Sequence, residues 1–327
     1  MQYTANNSRY DGMKYKRSGE SGLLLPSISL GLWQNFGEVD DFSLGRNIIV
    51  EAFDHGITYI DLANNYGPPP GSAERNFGRV INNELKAHRD ELIIATKAGY
   101  EMWDGPYGNW GSKKSLVASC DQSLKRMGIE YVDIFYSHRY DRETPLEETM
   151  GALNHIVRSG KALYAAISNY PATVAGEAID ILKKLGTPCV AHQIKYSMLV
   201  HEMGDSLFNL HKDKGVGCVS FSALAQGLLS DKYLNGIPDG SRAARSGTLT
   251  EEFINNNLSK VSLLNEIAVR RGQTLPQMAI SWQLHDSRVT SVLVGVSNIA
   301  QLHDNLAALN NTLFDQSELD EIEKAVL

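Results

Sequence analysis

Eight short apolar runs rich in β-branched residues recur along this chain, each bounded by turn residues and separated from the next by a helical pattern. That alternation restricts the fold more than any other feature. The runs lie near residues 28–30, 57–61, 91–96, 131–137, 162–167, 189–193, 216–221 and 291–295. Helical periodicity falls between them near 43–55, 73–87, 113–126, 147–158, 172–185 and 204–214, then in two segments near 252–271 and 275–285, with two more helices after the last run. Short continuous apolar runs that alternate with helices read as strands of a parallel sheet covered on both faces. The first seven runs begin at intervals of roughly 27 to 40 residues, the length of one βα unit. This spacing predicts one closed (β/α)8 barrel as a single domain over 1–327, preceded by a β-hairpin in MKYKRSGESGLLLP and followed by extra C-terminal helices. The glycine- and serine-rich stretch GLLSDKYLNGIPDGSRAARSGTLTEE before the eighth run reads as a long functional loop, because structureless segments of that length are otherwise uncommon in a compact domain.

Charge narrows the partners. Lys and Arg number 31 against 38 Asp and Glu, a formal net charge of −7, which disfavours a nucleic-acid or anionic membrane surface. Small molecules are the expected partners, and self-association as a homo-oligomer stays open. No apolar stretch approaches the ~18 residues of a membrane span, and MQYTANNSRYDGMKYKR lacks the apolar region of a secretion signal, so a cytoplasmic protein is expected. Cys120, Cys189 and Cys218 lie far apart without a CxxC pattern and read as buried free thiols. The histidines show no ligand spacing, and no metal is expected.

In a barrel of this kind the chemistry sits in the loops that follow the C-terminal ends of the strands. The second strand, ITYID, ends in Asp61, with Tyr66 in the next loop; the third ends in Lys97, the fourth in His138, the fifth in Ser168 and Asn169, and the sixth in Gln193 with Tyr196 just after it. Singly, each has an ordinary reading: a turn cap, a ring packed on the Pro68 to Pro70 run, a surface lysine, a hydrogen-bonded core histidine. Together, a carboxylate, a phenol, an ammonium and an imidazole at the mouths of successive strands suit proton transfer to a carbonyl oxygen. Asp61 is expected to orient Lys97, and the Lys97 cation to lower the Tyr66 phenol from its ordinary value of ~10 toward the working range.

On these residues the sequence resembles the aldo-keto reductases, whose Asp, Tyr, Lys and His tetrad matches Asp61, Tyr66, Lys97 and His138. Within that family SLGLWQNFG, DLANNYGPPPGSAE, TKAGYEMWDGPYG, DQSLKRMGIEYVDIFYSHR and LAQGLLSDKYLNGIP are similar to the bacterial L-glyceraldehyde 3-phosphate reductases, a group related to potassium-channel β-subunits. The resemblance covers nearly the whole chain and implies a nicotinamide dinucleotide, NADPH, held at the barrel mouth without a Rossmann domain. No GxGxxG follows the first strand, in agreement with this.

By the same match, Ser168, Asn169 and Gln193 are expected to hold the carboxamide and Tyr196 to stack on the ring, with Trp33 lining the pocket. Ser222, Leu224, Gln226 and Gly227 are expected around the pyrophosphate. Lys232, Arg242, Gly295, Ser297, Gln301, Asp304 and Asn305 are expected toward the adenosine end, where Ser297 and Asn298 could equally cap the last barrel helix. The substrates implied are short aldehydes, L-glyceraldehyde 3-phosphate and methylglyoxal, with Tyr66 as general acid and Trp33, Trp103 and His138 beside the carbonyl. Trp103, Tyr107 and Trp110 could shape this pocket or only stiffen their loop, and Lys113, Lys114 and Arg139 could attract a substrate phosphate or be exposed charges. Two other readings remain. One is a nucleotide-sensing protein of the channel β-subunit kind, against which His138 stands where those subunits generally carry asparagine. The other is a Schiff-base aldolase with Lys97 as nucleophile.

Overall fold

The computed structural model describes residues 3–201, 204–234, 236–239, 243 and 249–327. Two strands, β1 (Tyr15–Arg17) and β2 (Leu24–Pro26), form the expected antiparallel hairpin. Eight more follow: β3 (Ile28–Gly31), β4 (Tyr59–Asp61), β5 (Ile93–Ala98), β6 (Val132–Ser137), β7 (Ala162–Ser168), β8 (Cys189–Lys195), β9 (Gly217–Phe221) and β10 (Val289–Val294). All neighbours pair in parallel and the sheet closes, β10 bonding to both β9 and β3. The predicted barrel is therefore present, with its hairpin.

Helices α1 (Phe42–Asp54), α2 (Ser72–Asn83), α3 (Lys113–Met127), α4 (Leu146–Arg158), α5 (Ala172–Lys184) and α6 (Gly204–Lys214) follow β3 to β8 in turn. After β9 come α7 (Glu251–Arg270) and α8 (Leu275–His285), and after β10 come α9 (Ile299–Ala307) and α10 (Gln316–Val326). Local chemistry sets several of their ends. Asp41 caps α1 by accepting from the Ser43 and Leu44 amides, Ser112 caps α3, and Gly128 ends α3 at φ 65°. Thr274 with Gln277, and Asp315 with Glu318, form capping boxes on α8 and α10. The helical pattern expected over 73–87 stops at Asn83, and residues 86–91 form a 3-10 turn instead. There the Asn82 amide bonds to Gly78 O and Met127 O, tying the end of α2 to that of α3.

The barrel interior is filled by Tyr59, Ile93, Ala95, Ile134, Tyr136, Ala166, Val190, Ala191, Val219 and Leu293, with Leu25 of the hairpin joining the same cluster. Successive strand residues point to opposite faces, so positions two residues beyond an interior side chain also point inward. Asp61 follows Tyr59 in this way, Lys97 follows Ala95, His138 follows Tyr136, Ser168 follows Ala166 and Gln193 follows Ala191. The filled core thus dictates which side chains crown it. Of the described residues between β9 and α7, Leu228, Leu229, Tyr233 and Leu249 pack with α7 and α8 in a second apolar cluster. Cys120, Cys189 and Cys218 are free and buried, as expected.

Beneath α6 lies a buried histidine pair. The Tyr170 amide donates to His192 Nε2 at 3.3 Å, so Nδ1 carries the proton and donates to His211 Nε2 at 2.9 Å. His211 Nδ1, necessarily protonated, has no hydrogen-bond partner among the described residues. Burial lowers both imidazoles, His192 well below its ordinary value with a further contribution from His211, and His211 to about 4. Because the unfolded chain binds these protons near pH ~6.5 and the folded chain resists them, stability is full above that pH and declines as pH falls toward 4. From pH 7 to pH 5 the expected loss is about 2 kcal/mol for His211 alone. Urea midpoints at the two pH values should show it, and His211→Gln should flatten the decline; an unchanged slope would remove the pair as its origin.

Candidate active site

Lys97 is wholly buried at the mouth of the barrel. Its Nζ donates to Asp61 Oδ2 at 2.5 Å, to Leu62 O at 2.7 Å and to Tyr66 Oη at 3.3 Å. An ammonium has three protons, and all three are engaged. Asp61 Oδ1 accepts from Gln193 Nε2 at 2.9 Å and more distantly from Tyr59 Oη, which also bonds to Tyr136 Oη at 2.8 Å. The Tyr66 ring meets His138 edge-on at 5.9 Å between centroids, and Tyr100 meets the same imidazole at 4.6 Å. Asp61, Tyr66, Lys97, His138 and Gln193 thus form one connected group, as the strand ends predict. Ser168 is buried beside Gln193 in register, and Asn169, at φ 56°, donates to His138 O and Ser168 Oγ.

The electrostatics correct one expectation. Burial, then the negative charge of Asp61 and the presence of Tyr100, raise the Tyr66 phenol well above its ordinary value rather than lowering it. Burial away from water is the main reason, and the Asp61 carboxylate against Nζ adds to it by offsetting the field that a lone Lys97 cation would exert on the ring. The phenol therefore stays protonated at neutral pH. Since Lys97 donates to Oη, the phenol hydrogen remains available for a different acceptor. Burial also pulls Lys97 down, opposed by Asp61, and pushes His138 well below the usual imidazole range, helped by Lys97 and Arg139. His138 is neutral, and neither ring nitrogen has a hydrogen-bond partner among the described residues.

The other predicted residues are spread more widely. Tyr196 is buried, stacked on Trp282 at 5.3 Å with Phe208 at its edge. Trp33 follows β3 and is 38% exposed, and Trp103 lies half-buried in the loop after β5. The loop after β9 has a run of unusual backbone: Ser222, Ala225 and Gln226 have φ of 59°, 46° and 62°, and Gly227 has φ 96°. Non-glycine residues rarely occupy this region, and such clusters mark loops shaped for a ligand. Leu224 lies within it, and Lys232 is exposed in a 3-10 turn beyond it. Gly295 follows β10; Ser297 donates through N and Oγ to Gln301 Oε1, and Asn298 caps α9. Asn305 is buried, while the Asp304 carboxylate is taken by Thr274 Oγ1 and Gln277 Nε2 of α8. Arg242 lies outside the described residues.

Tyr59, Tyr136 and Tyr100 were not singled out from the sequence. The first two stand two residues before Asp61 and His138, and strand alternation is the signal that places them beneath the site. The fold also joins Glu51, His55 and His303 on the outer helical layer, His303 Nε2 lying 2.8 Å from Glu51 Oε1. Sequence spacing conceals this group because it joins α1 to α9.

Residues 27–327 match the Aldo/keto reductase family. The chain belongs to this family. Among aldo/keto reductase relatives it is 53% identical over 332 aligned residues to the L-glyceraldehyde 3-phosphate reductase of Escherichia coli K12, covering 100% of this chain and 96% of that protein. It is 35% identical to a probable voltage-gated potassium channel subunit beta of Arabidopsis thaliana, covering 96% and 97%. Among solved structures, the holo form of an aldo-keto reductase from Bacillus halodurans superposes with a TM-score of 0.77 at 26% identity, covering 96% of each chain. Aldo/keto reductase membership makes the chain one of an oxidoreductase family, and no helix of the described residues is long and apolar enough to cross a membrane.

Proposed function

We propose that this chain catalyses the NADPH-dependent reduction of small aldehydes, L-glyceraldehyde 3-phosphate and methylglyoxal among them, to alcohols. The observation that carries this reading is the buried chain Asp61, Lys97, Tyr66, which leaves a protonated phenol beside a neutral His138 at the barrel mouth. The residues fit a nicotinamide dinucleotide. Asn64 Oδ1, Asn65 Oδ1 and His138 Nδ1, in the segments that follow β4 and β6, are buried without a hydrogen-bond partner among the described residues, and the left-handed backbone after β9 suits close approach of main-chain amides to phosphate. Ser168, Asn169 and Gln193 would hold the carboxamide, Gln193 Oε1 being the atom left over once Nε2 is bonded to Asp61. Tyr196 would face the ring and Trp33 the pocket. Ser222, Leu224, Gln226 and Gly227 would hold the pyrophosphate, with Lys232, Arg242, Gly295, Ser297, Gln301, Asp304 and Asn305 toward the adenosine phosphate.

When bound, the reduced nicotinamide supplies a hydride to the carbonyl carbon. Tyr66 Oη donates its proton to the carbonyl oxygen, and the phenolate left behind is stabilised by the Lys97 ammonium donating to it. Asp61 keeps that ammonium charged and in place. His138, neutral and with no hydrogen bond to its ring nitrogens among the described residues, hydrogen-bonds the carbonyl oxygen and orients the substrate. Catalysis of this kind typically contributes 10²- to 10⁴-fold.

Lys97 makes a poor Schiff-base nucleophile in this arrangement, because a charged amine with three donated hydrogen bonds has no free electron pair. The decisive experiment follows nicotinamide absorbance with NADPH and NADH across a panel of aldehydes. Sustained turnover is expected, with NADPH preferred and L-glyceraldehyde 3-phosphate or methylglyoxal exceeding bulky aromatic aldehydes in kcat/KM. A single stoichiometric oxidation without turnover would instead favour nucleotide sensing, and a best substrate among the aromatic aldehydes would overturn the substrate class.

A further inference from the structure

One cation near the mouth has no counter-ion among the described residues. Arg139, the residue after His138, is clamped between two rings, its guanidinium carbon 4.2 Å from the centre of Tyr100 and 3.6 Å from that of Trp110. Nε donates to Gly99 O and one Nη to Asn109 Oδ1, both at 2.9 Å. These acceptors are neutral, and among the described residues no carboxylate pairs with Arg139. The nearest acid, Asp141, is already occupied: its oxygens accept from the Gly111, Glu143 and Thr144 amides and from Thr144 Oγ1. The other nearby cation, Lys97, is neutralised by Asp61. Two of five N–H donors are used, so a full positive charge and three donors remain on a group that is only partly exposed.

Partly buried charges are normally paired, and a guanidinium held over two rings with no carboxylate partner among the described residues is a fork that can receive an oxyanion. The clamp itself is built. Trp110 sits at φ 67°, a conformation rare for a bulky residue, with its amide bonded to Gly99 O. Gly111 and Thr149 bind this loop to α4. Lys113 and Lys114 contrast with it, standing exposed at the start of α3 with Lys114 Nζ 5.2 Å from the Tyr107 ring centre. Tyr100 touches both Arg139 and His138, so the cation lies one ring away from the imidazole beside which the carbonyl is placed. In a three-carbon phosphorylated aldehyde the phosphate is separated from the carbonyl carbon by two carbons and an ester oxygen.

We propose that Arg139, held by Tyr100 and Trp110, is the residue that binds the phosphate of a short phosphorylated aldehyde and gives the pocket its preference for that substrate class. This rests on the reductase reading above and deepens it.

The test compares L-glyceraldehyde 3-phosphate with L-glyceraldehyde, which differ only in the phosphate, in the wild type and in Arg139→Met and Arg139→Lys, and measures glycerol 3-phosphate binding by calorimetry. In Arg139→Met the ratio of kcat/KM for the phosphorylated over the free aldehyde should fall roughly 10- to 100-fold, mostly through KM, as expected for loss of a charge-assisted hydrogen bond. Arg139→Lys should recover part of it. Glycerol 3-phosphate binding should weaken in parallel. An equal fall for both aldehydes would make Arg139 a loop-holding residue only, and kcat/KM values left unchanged for both would remove it from recognition; either overturns the proposal. If the wild type turns over neither aldehyde, the reductase reading fails by itself. Arg139-dependent binding of glycerol 3-phosphate would then still establish the anion site, and Arg139-independent binding would refute it.

Discussion

Tyr66→Phe is expected to lower kcat by two to four powers of ten while leaving NADPH affinity nearly unchanged. The substitution deletes one oxygen. Among the described residues that oxygen has a single hydrogen-bond partner, Lys97 Nζ at 3.3 Å, and the ammonium keeps its bonds to Asp61 and Leu62 O when it is gone. The ring that meets His138 at 5.9 Å remains, so the pocket keeps its shape. Only the proton donor is lost, and general acid catalysis is worth about 10² to 10⁴ in rate. Tyr66→Ala removes the ring as well and should weaken substrate and nucleotide binding besides. Measuring kcat and nucleotide affinity for the two variants separates chemistry from packing: near-normal turnover in the Phe variant would refute the proposed acid.

Lys97→Met is expected to abolish turnover to at least the same degree and, unlike the tyrosine change, to destabilise the fold. Asp61 and Lys97 are both almost completely buried. Removing the cation leaves a buried carboxylate with only Gln193 and Tyr59 as neutral donors among the described residues, and breaking such a pair from one side costs about 3–5 kcal/mol. For a chain of 327 residues that corresponds to a fall in Tm on the order of 4–7 °C. The double variant Asp61→Asn with Lys97→Met removes both charges and should regain much of the stability and none of the activity. A single variant as stable as the wild type would show that the pair contributes little to folding. Activity in either variant would show that proton donation does not depend on the lysine.

The residues that meet at the barrel mouth were legible because each ends an apolar strand. Period-two alternation places Asp61, Lys97, His138, Ser168 and Gln193 on the inner face, and parallel closure brings the strand ends to one side of the barrel. The same alternation would have revealed Tyr59 and Tyr136. Other features were hidden because they depend on approach between distant segments. Asp304 matched a nucleotide-binding position, yet its carboxylate bonds to α8. Arg139 reads equally well as a surface charge in the sequence, and only the fold brings its guanidinium over the Tyr100 and Trp110 rings.

The sequence by itself determined the number and order of the strand and helix units, the hairpin before them, the helix caps and the candidate tetrad, since all of these follow from local propensity and from periodicities within a few residues. Tertiary structure alone decided the electrostatics. A charge acts through distance and solvent exposure, and neither is written along the chain. The sequence reading placed a lysine near a tyrosine and expected a lowered phenol. The folded protein sets Asp61 2.5 Å from that lysine, buries the group, and raises the phenol instead. The same residues therefore supply a protonated donor backed by a neutralised cation, a state fixed by packing around the barrel mouth.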